Sequence, residues 1–206
     1  MTTGERATRF AAVIPGAGAG TRFGGPKAAA ELRPGERFID VIARTAADAG
    51  AKPVVVVLPP GVAAPPGTRV VVNPRADSEQ IDSVRLGFAQ LTNAPVTGAL
   101  LWPVDHPFVR LDTVLAIADE ARRSGAPVVV PTHHGRRGHP AYFARESWRE
   151  LVTVSEGGAR AVVRGFGAAV REVATDDAGV LRDIDTRDDL APARAGRPVP
   201  GPDAVP

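Results

Sequence analysis

Apolar residues along this chain fall into short unbroken runs that alternate with stretches of helical periodicity. Phe10, Val13 and Ile14 mark the first run, a buried strand that Pro15 ends by removing a backbone donor. Phe38, Val41, Ile42, Thr45 and Ala49 recur at helical spacing, and Gly50 is placed to stop that helix. Val54 to Leu58, closed by Pro59, Pro60 and Gly61, and the shorter run Val70 to Val72 both read as buried strands. Asp77 is placed to cap a helix whose Ile81, Val84, Phe88 and Leu91 face the core. Ala99 to Val104 predicts another strand, which delivers Asp105 at its end. Asp112 then caps a helix carrying Val114, Ile117 and Ala121, Gly125 ends it, and Val128 to Val130 supplies a further strand. Wholly apolar strands alternating with helices predict a mostly parallel sheet covered on both faces, a three-layer α/β/α sandwich.

The pattern changes after Pro131. His133 to Phe143 is rich in glycine and basic residues and predicts an inserted β-hairpin at the rim of the site, with Ala141, Tyr142 and Phe143 returning as a strand. Ser155 is placed to cap a helix over Gly157 to Arg164, Ala168 to Val173 reads as a strand, and Leu181 to Leu190 closes the domain. The expected domain therefore spans residues 9–190. Residues 191–206, APARAGRPVPGPDAVP, lack periodicity and are read as a disordered tail.

Composition narrows the function. A chain of 206 residues suits one domain, and a formal charge of +2 with scattered basic residues argues against nucleic acid as a partner. Without cysteine there is no disulfide and no thiolate metal site, which fits a reducing compartment. The start MTTGERATRF has no apolar signal core, and no run reaches membrane-spanning length, so a cytoplasmic protein without membrane partners is expected.

Chemistry concentrates in AAVIPGAGAGTRFGGPK, Ala11 to Lys27, where the first strand empties into a turn holding Gly16, Gly18, Gly20, Gly24 and Gly25. Such a turn converges backbone N–H groups on an anion, and Arg22 and Lys27 add full positive charges, so a polyphosphate is the expected guest. A dinucleotide-binding G-x-G-x-x-G fails because Thr21 and Phe23 occupy the required glycine positions. A P-loop fails because Pro26 precedes Lys27 and Ala28 follows it. In open α/β sheets ligands bind beyond the carboxyl ends of the strands, where Asp105 of PVDHPFV offers a hard oxygen ligand suited to Mg²⁺. His133, His134 and His139 lack the fourth ligand of a zinc site.

The loop resembles the signature A-A-G-x-G-x-R-x-G followed by P-K of nucleotidyltransferases with a Rossmann-like (GT-A-type) fold. Ala17, Gly18, Gly20, Arg22, Gly24, Pro26 and Lys27 match it, and Gly16 stands where the family has Ala. Asp105, Pro107, Phe108 and Val109 resemble that family's metal-binding D-x-P-L/F-V segment. Gly138, His139 and Pro140 resemble the G-H-P motif of its molybdenum cofactor cytidylyltransferase-like (MobA-like) branch, which lies near the acceptor. DIDTRDDL, Asp183 to Leu190, resembles that branch's closing D-I-D-T-P-E-D-L, with Arg187 in place of Pro. EQIDSVRLGF resembles S-S-V-R-x-G-L, a nucleotide-binding segment, and offers Gln80 and Ser83.

The resemblance implies a Mg²⁺-dependent transfer of a nucleoside monophosphate to a phosphate-bearing acceptor with loss of pyrophosphate. It implies nucleotide contacts from Ala17, Gly18, Ala19, Gly20, Arg22, Lys27, Gln80 and Ser83, with Lys27, Arg22 and Asp105 catalytic. It places the metal on Asp105 and Asp185, with Asp183 in reserve, and the acceptor beside His106, Gly138, His139 and Pro140. Ala17 and Gly20 follow the form that accompanies CTP, not GTP. The acceptor implied is molybdopterin, in which case a delivery partner enzyme is expected. Sugar-phosphate and methylerythritol-phosphate transferases share the loop, although the H-D-A-A-R segment of the latter is absent here. A non-catalytic nucleotide-binding module or chaperone on the same fold would bind CTP and release no pyrophosphate.

Overall fold

A computed structural model of the chain describes residues 9–75 and 79–190. The elements in order are β1 (Phe10–Pro15), β2 (Glu31–Arg33), β3 (Glu36–Arg37), α1 (Phe38–Asp48), β4 (Val54–Leu58), β5 (Arg69–Val72) and α2 (Gln80–Ala89). They continue as β6 (Gly98–Leu101), α3 (Leu111–Ser124), β7 (Val128–His133), β8 (Arg136–Arg137), β9 (Ala141–Ala144), α4 (Trp148–Thr153), α5 (Gly158–Gly165) and β10 (Val170–Ala174).

The main sheet runs β10-β7-β9-β6-β1-β4-β5, with β8 paired to β7 and a separate β2–β3 ribbon. Pairings β1–β4, β1–β6, β4–β5 and β7–β10 are parallel, whereas β9 lies antiparallel between β6 and β7. Because strand side chains alternate, each central strand feeds two cores. Ala12 and Ile14 of β1 pack with α1 and α3 on one face; Ala11 and Val13 pack with α2, α4 and α5 on the other. The three layers expected from the apolar runs are therefore present.

Alternation also explains a difference. Val70 and Val72 are 48% and 53% exposed, because β5 is the outermost strand and only β4 pairs with it among the described residues. An apolar run alone does not distinguish a central strand from an edge strand. Two capping expectations shift for a related reason. Asp112 sits inside the first turn of α3, where its carboxylate accepts from the Thr113 amide at 2.8 Å, while Arg110 occupies the cap position. Gly157, not Ser155, precedes α5. In α1 the buried stripe is Phe38, Ile39, Ile42, Ala43 and Ala46, so Val41 and Thr45 flank the core without leading into it. Asp77 and residues 191–206 lie outside the described residues. The described helices include none long and apolar enough to cross a membrane.

Strand order reverses at β1, with β4 on one side and β6 on the other, which opens a crevice where the chain leaves β1 and β6. The expected hairpin is β7–β8, and β9 threads back between β7 and β6. This return is tight: a Cβ added at Gly98 of β6 would lie 2.2 Å from the Tyr142 hydroxyl oxygen and 2.7 Å from the Phe143 carbonyl oxygen. Gly98→Ala is expected to lower stability by about 1–3 kcal/mol, the usual cost of overpacking, read as a lower urea midpoint with an unchanged slope.

Candidate active site

The glycine loop is built around one carbonyl. Gly20 adopts φ +58°, and its oxygen accepts from the amides of Phe23, Gly24 and Gly25 at 2.9, 2.9 and 3.1 Å. The amides of Gly24 and Gly25 are thus consumed within the turn by the Gly20 carbonyl. The amides of Ala17, Gly18, Ala19 and Thr21 have no protein acceptor among the described residues. They are the free donors a phosphate requires. Phe23 anchors the loop, buried edge-to-face on Phe38 with ring centroids 5.9 Å apart. At Gly16 a methyl would lie 3.3 Å from both the Ala28 Cβ and the Val57 carbonyl oxygen, so this departure from the family pattern fills a narrow space.

Lys27 opens a short 3-10 turn, Lys27–Ala29, and sends its ammonium between two carboxylates. Its Nζ lies 2.5 Å from Asp185 Oδ1 and 3.6 Å from Asp105 Oδ2, and its side chain is only 15% exposed. Arg22 Nη1 is 3.6 Å from Asp185 Oδ2, but at 81% exposure this pair contributes little by itself. Backbone bonds bring these distant residues together. Trp102 N and Val104 N extend the β6–β1 ladder onto the Val13 and Pro15 carbonyls, and the Trp102 indole donates to the His106 carbonyl at 3.0 Å, which fixes the turn at Asp105. Ile184 N then donates to the Asp105 carbonyl at 2.9 Å and delivers Asp185. Arg187 Nε donates to the Phe23 carbonyl at 3.2 Å with its guanidinium over the Phe23 ring. The second departure from the family pattern therefore ties the closing motif to the loop.

A cleft of about 220 Å³ joins Ala17, Gly18, Gly20, Arg22, Lys27, Gln80, Ser83, Asp105 and Asp185. Ala19 stands on the loop's exposed side. Ser83 is buried and accepts from Asn73 Nδ2 at 3.3 Å, whereas Gln80, the first residue of α2, is exposed. Asp183 instead lines a neighbouring cavity with His106, Gly138 and His139, so Asp185 is the acid that meets Lys27. His106 stacks on His139 with centroids 4.6 Å apart and places Nε2 3.8 Å from Asp105 Oδ1. Gly138 is required by contact: a Cβ there would lie 2.3 Å from the Val180 carbonyl oxygen, which accepts from the His139 amide at 2.8 Å. Pro140 is buried where the chain enters β9. His133 and His134 pack on each other away from this pair. Among the described residues no three His, Cys, Asp or Glu side chains group to hold a metal by themselves.

Burial pushes the His106 imidazole below its ordinary pKa, partly offset by Asp105 and Asp183. Burial likewise drives His139 down, with further push from His106 and Arg160, to about 3. Three buried side-chain polar atoms among the described residues lack a hydrogen-bond partner: Asp105 Oδ1, His106 Nδ1 and His139 Nδ1. Sequence reasoning missed Asn73, Trp102 and the arginines of α5; the i, i+4 spacing of Arg160 and Arg164 was a visible signal for the last.

A parallel sheet that opens at its strand-order reversal onto free loop amides, two cations and two carboxylates defines a protein that handles nucleotide phosphates. Residues 12–174 match the MobA-like NTP transferase domain, and the chain belongs to this family of nucleotidyltransferases. A 2-C-methyl-D-erythritol 4-phosphate cytidylyltransferase of Streptomyces coelicolor is 34% identical over 210 residues, covering 88% of this chain and 76% of the relative. The crystal structure of Rv0371c from Mycobacterium tuberculosis H37Rv superposes with a TM-score of 0.76 at 27% identity, covering 89% of this chain and 96% of that one. A complex of Rv0371c with manganese gives 0.74 at 25% identity, covering 91% and 99%.

Two outcomes follow from the geometry. Gly20→Ala places a methyl 2.0 Å from the Gly25 carbonyl oxygen at positive φ, so it disorders the loop and lowers the melting temperature. Gly18→Ala, with nothing within 4 Å, leaves melting unchanged and weakens nucleotide binding alone; both are read by thermal shift with and without nucleotide. Because His139 has a depressed pKa, unfolding takes up a proton, so stability falls as pH drops from about 6.5 toward about 3. His139→Gln should make denaturant midpoints across that range less steep in pH.

Proposed function

We propose that the protein is a Mg²⁺-dependent cytidylyltransferase that moves CMP from CTP to a phosphate-bearing acceptor and releases pyrophosphate. The observation that carries this proposal is the convergence of Lys27, Asp105 and Asp185 beside the free loop amides, with Asp105 Oδ1 buried and unpartnered. Two carboxylates suit a Mg²⁺ ion, which takes few protein ligands and completes its shell with phosphate oxygens and water. Asp105 and Asp185 would hold that ion, which would neutralise triphosphate charge. The Lys27 ammonium also lies between the two acids.

The chemistry needs no side-chain base, because the acceptor phosphate is already an anion. Its oxygen forms a bond to the α-phosphorus of CTP while the bond from that phosphorus to the bridging oxygen breaks, and the electron pair leaves with pyrophosphate. The protein's contribution is positioning and charge neutralisation. Amides 17–21 and Arg22 hold the β- and γ-phosphates. Lys27 exchanges Asp185 for the α-phosphate or the leaving oxygen. Ser83 and Gln80 border the nucleoside end of the cleft. His139 stays neutral at ordinary pH and so meets the acceptor as a hydrogen-bonding group, not as a cation.

CTP is favoured by Ala17 and Gly20 of the loop and by the cytidylyltransferase relative. For the acceptor, the Gly138–Pro140 motif favours molybdopterin, whereas that relative's name points to 2-C-methyl-D-erythritol 4-phosphate. A thermal-shift screen of the four nucleoside triphosphates with Mg²⁺ is expected to give its largest stabilisation with CTP, and stabilisation by none would refute the proposal. Lys27→Ala should lower kcat by about 10²-fold or more in a pyrophosphate-release assay, and near-normal turnover would remove Lys27 from the mechanism.

A further inference from the structure

Beside the loop cleft lies a second cavity of about 310 Å³, with His106 and Asp183 in its wall and Leu101, Val130 and Phe143 in its apolar floor. Four arginines ring it: Arg136 and Arg137 from β8, Arg160 and Arg164 from α5. Asp183 is the one acid in its described lining. Arg137 is held by Glu172 at 2.7 Å, but Arg136, Arg160 and Arg164 have no carboxylate partner among the described residues. Arg160 and Arg164 stand four residues apart on α5, a spacing at which like charges repel, so the helix gathers positive charge that its own residues do not offset. No side chain caps this helix, and Gly157, Gly158 and Ala159 of its start border an adjoining space shared with Arg160, Arg164 and His139, where Glu79 is the one acid in the described lining. His106 and His139, stacked on each other, both line the basin, and His106 also turns its Nε2 to within 3.8 Å of Asp105 in the neighbouring cleft.

None of these arginines lines the cleft that holds Lys27 and Asp105, where an attacking phosphate must lie to reach the α-phosphorus. An acceptor with one phosphate would leave the basin's charge unmatched. Resting on the nucleotidyltransferase reading, we propose that the acceptor carries a second anionic group, carboxylate or phosphate, which Arg160 and Arg164 bind with Arg136 beyond the His106–His139 pair. The body of the acceptor then crosses the two imidazoles, which both line the basin. Guanidinium groups suit this role because they bind carboxylate and phosphate through paired donors.

Matched probes test the proposal by isothermal titration of the full chain. Glycerol 3-phosphate is compared with 3-phosphoglycerate, which replaces its terminal alcohol by a carboxylate, and with propane-1,3-diol bisphosphate, which carries a second phosphate. Glucitol 6-phosphate and 6-phosphogluconate form a longer pair. In at least one set the doubly anionic probe should bind about tenfold or more tighter than its match. Arg160→Gln/Arg164→Gln should erase that advantage while its ligand-free melting temperature and its stabilisation by CTP stay at wild-type values. The carboxylate and bisphosphate arms identify which group the basin takes. Equal affinities within every set, no binding of any probe, or an advantage that survives in the double variant would overturn the proposal. Failure of every nucleoside triphosphate to stabilise the wild type would overturn the nucleotidyltransferase reading instead, with the probe comparison still deciding the basin.

Discussion

Three segments of the chain meet at the ammonium of Lys27. The glycine loop supplies the cation, the turn after β6 supplies Asp105, and the closing motif supplies Asp185. Without the cation, Asp105 and Asp185 would meet in one cleft as like charges. Placing one cation between them offsets that repulsion and ties the three segments to one another. On the proposed function the arrangement is also exchangeable, since a bound cation would replace Lys27 beside the acids and a phosphate would replace the acids beside Lys27. The resting contacts of the site and those proposed for turnover use the same three side chains.

Much of this fold was legible because the signals were local. Parallel strands buried on both faces give continuous apolar runs, and Gly50 and Gly125 stop their helices with left-handed backbones where the sequence places them. The edge position of β5 was not legible, since Val70 to Val72 reads like a central strand and only the sheet order distinguishes it. The cap at Asp112 failed for a smaller reason: a carboxylate that satisfies first-turn amides can do so from within the turn. In the site, loop residues and Asp105 were readable because motif and strand end coincide. Hidden from the sequence were the role of Gly20 as the hub of the turn and the divergence of Asp183 and Asp185 into neighbouring cavities two residues apart.

The two departures from the family pattern have different physical standing. Gly16 lies against Ala28 and Val57, so its small size matches a constriction without adding a contact. Arg187 adds one, linking the end of the domain to Phe23 through a carbonyl and an aromatic face. The family framework thus fixes where phosphate and metal chemistry would take place, while residues outside its motifs, Arg136, Arg160 and Arg164 above all, shape the space open to the acceptor. On the proposals above, nucleotide handling and acceptor choice would fall to separate parts of the chain, lining two different cavities.

The Arg187–Phe23 tether spans 164 residues, and the Lys27–Asp185 bond spans 158. Contacts of such separation close only after the chain between them is ordered, so they follow the local elements in assembly. During synthesis, the first loop leaves the ribosome long before its partners exist. A nascent chain can pair β1 with β4 and pack α1, yet its phosphate cradle faces solvent without either acid in place. On the proposed function, the segment around Asp185 is the last of the three to be made, so the site at Lys27 is complete only once that segment docks.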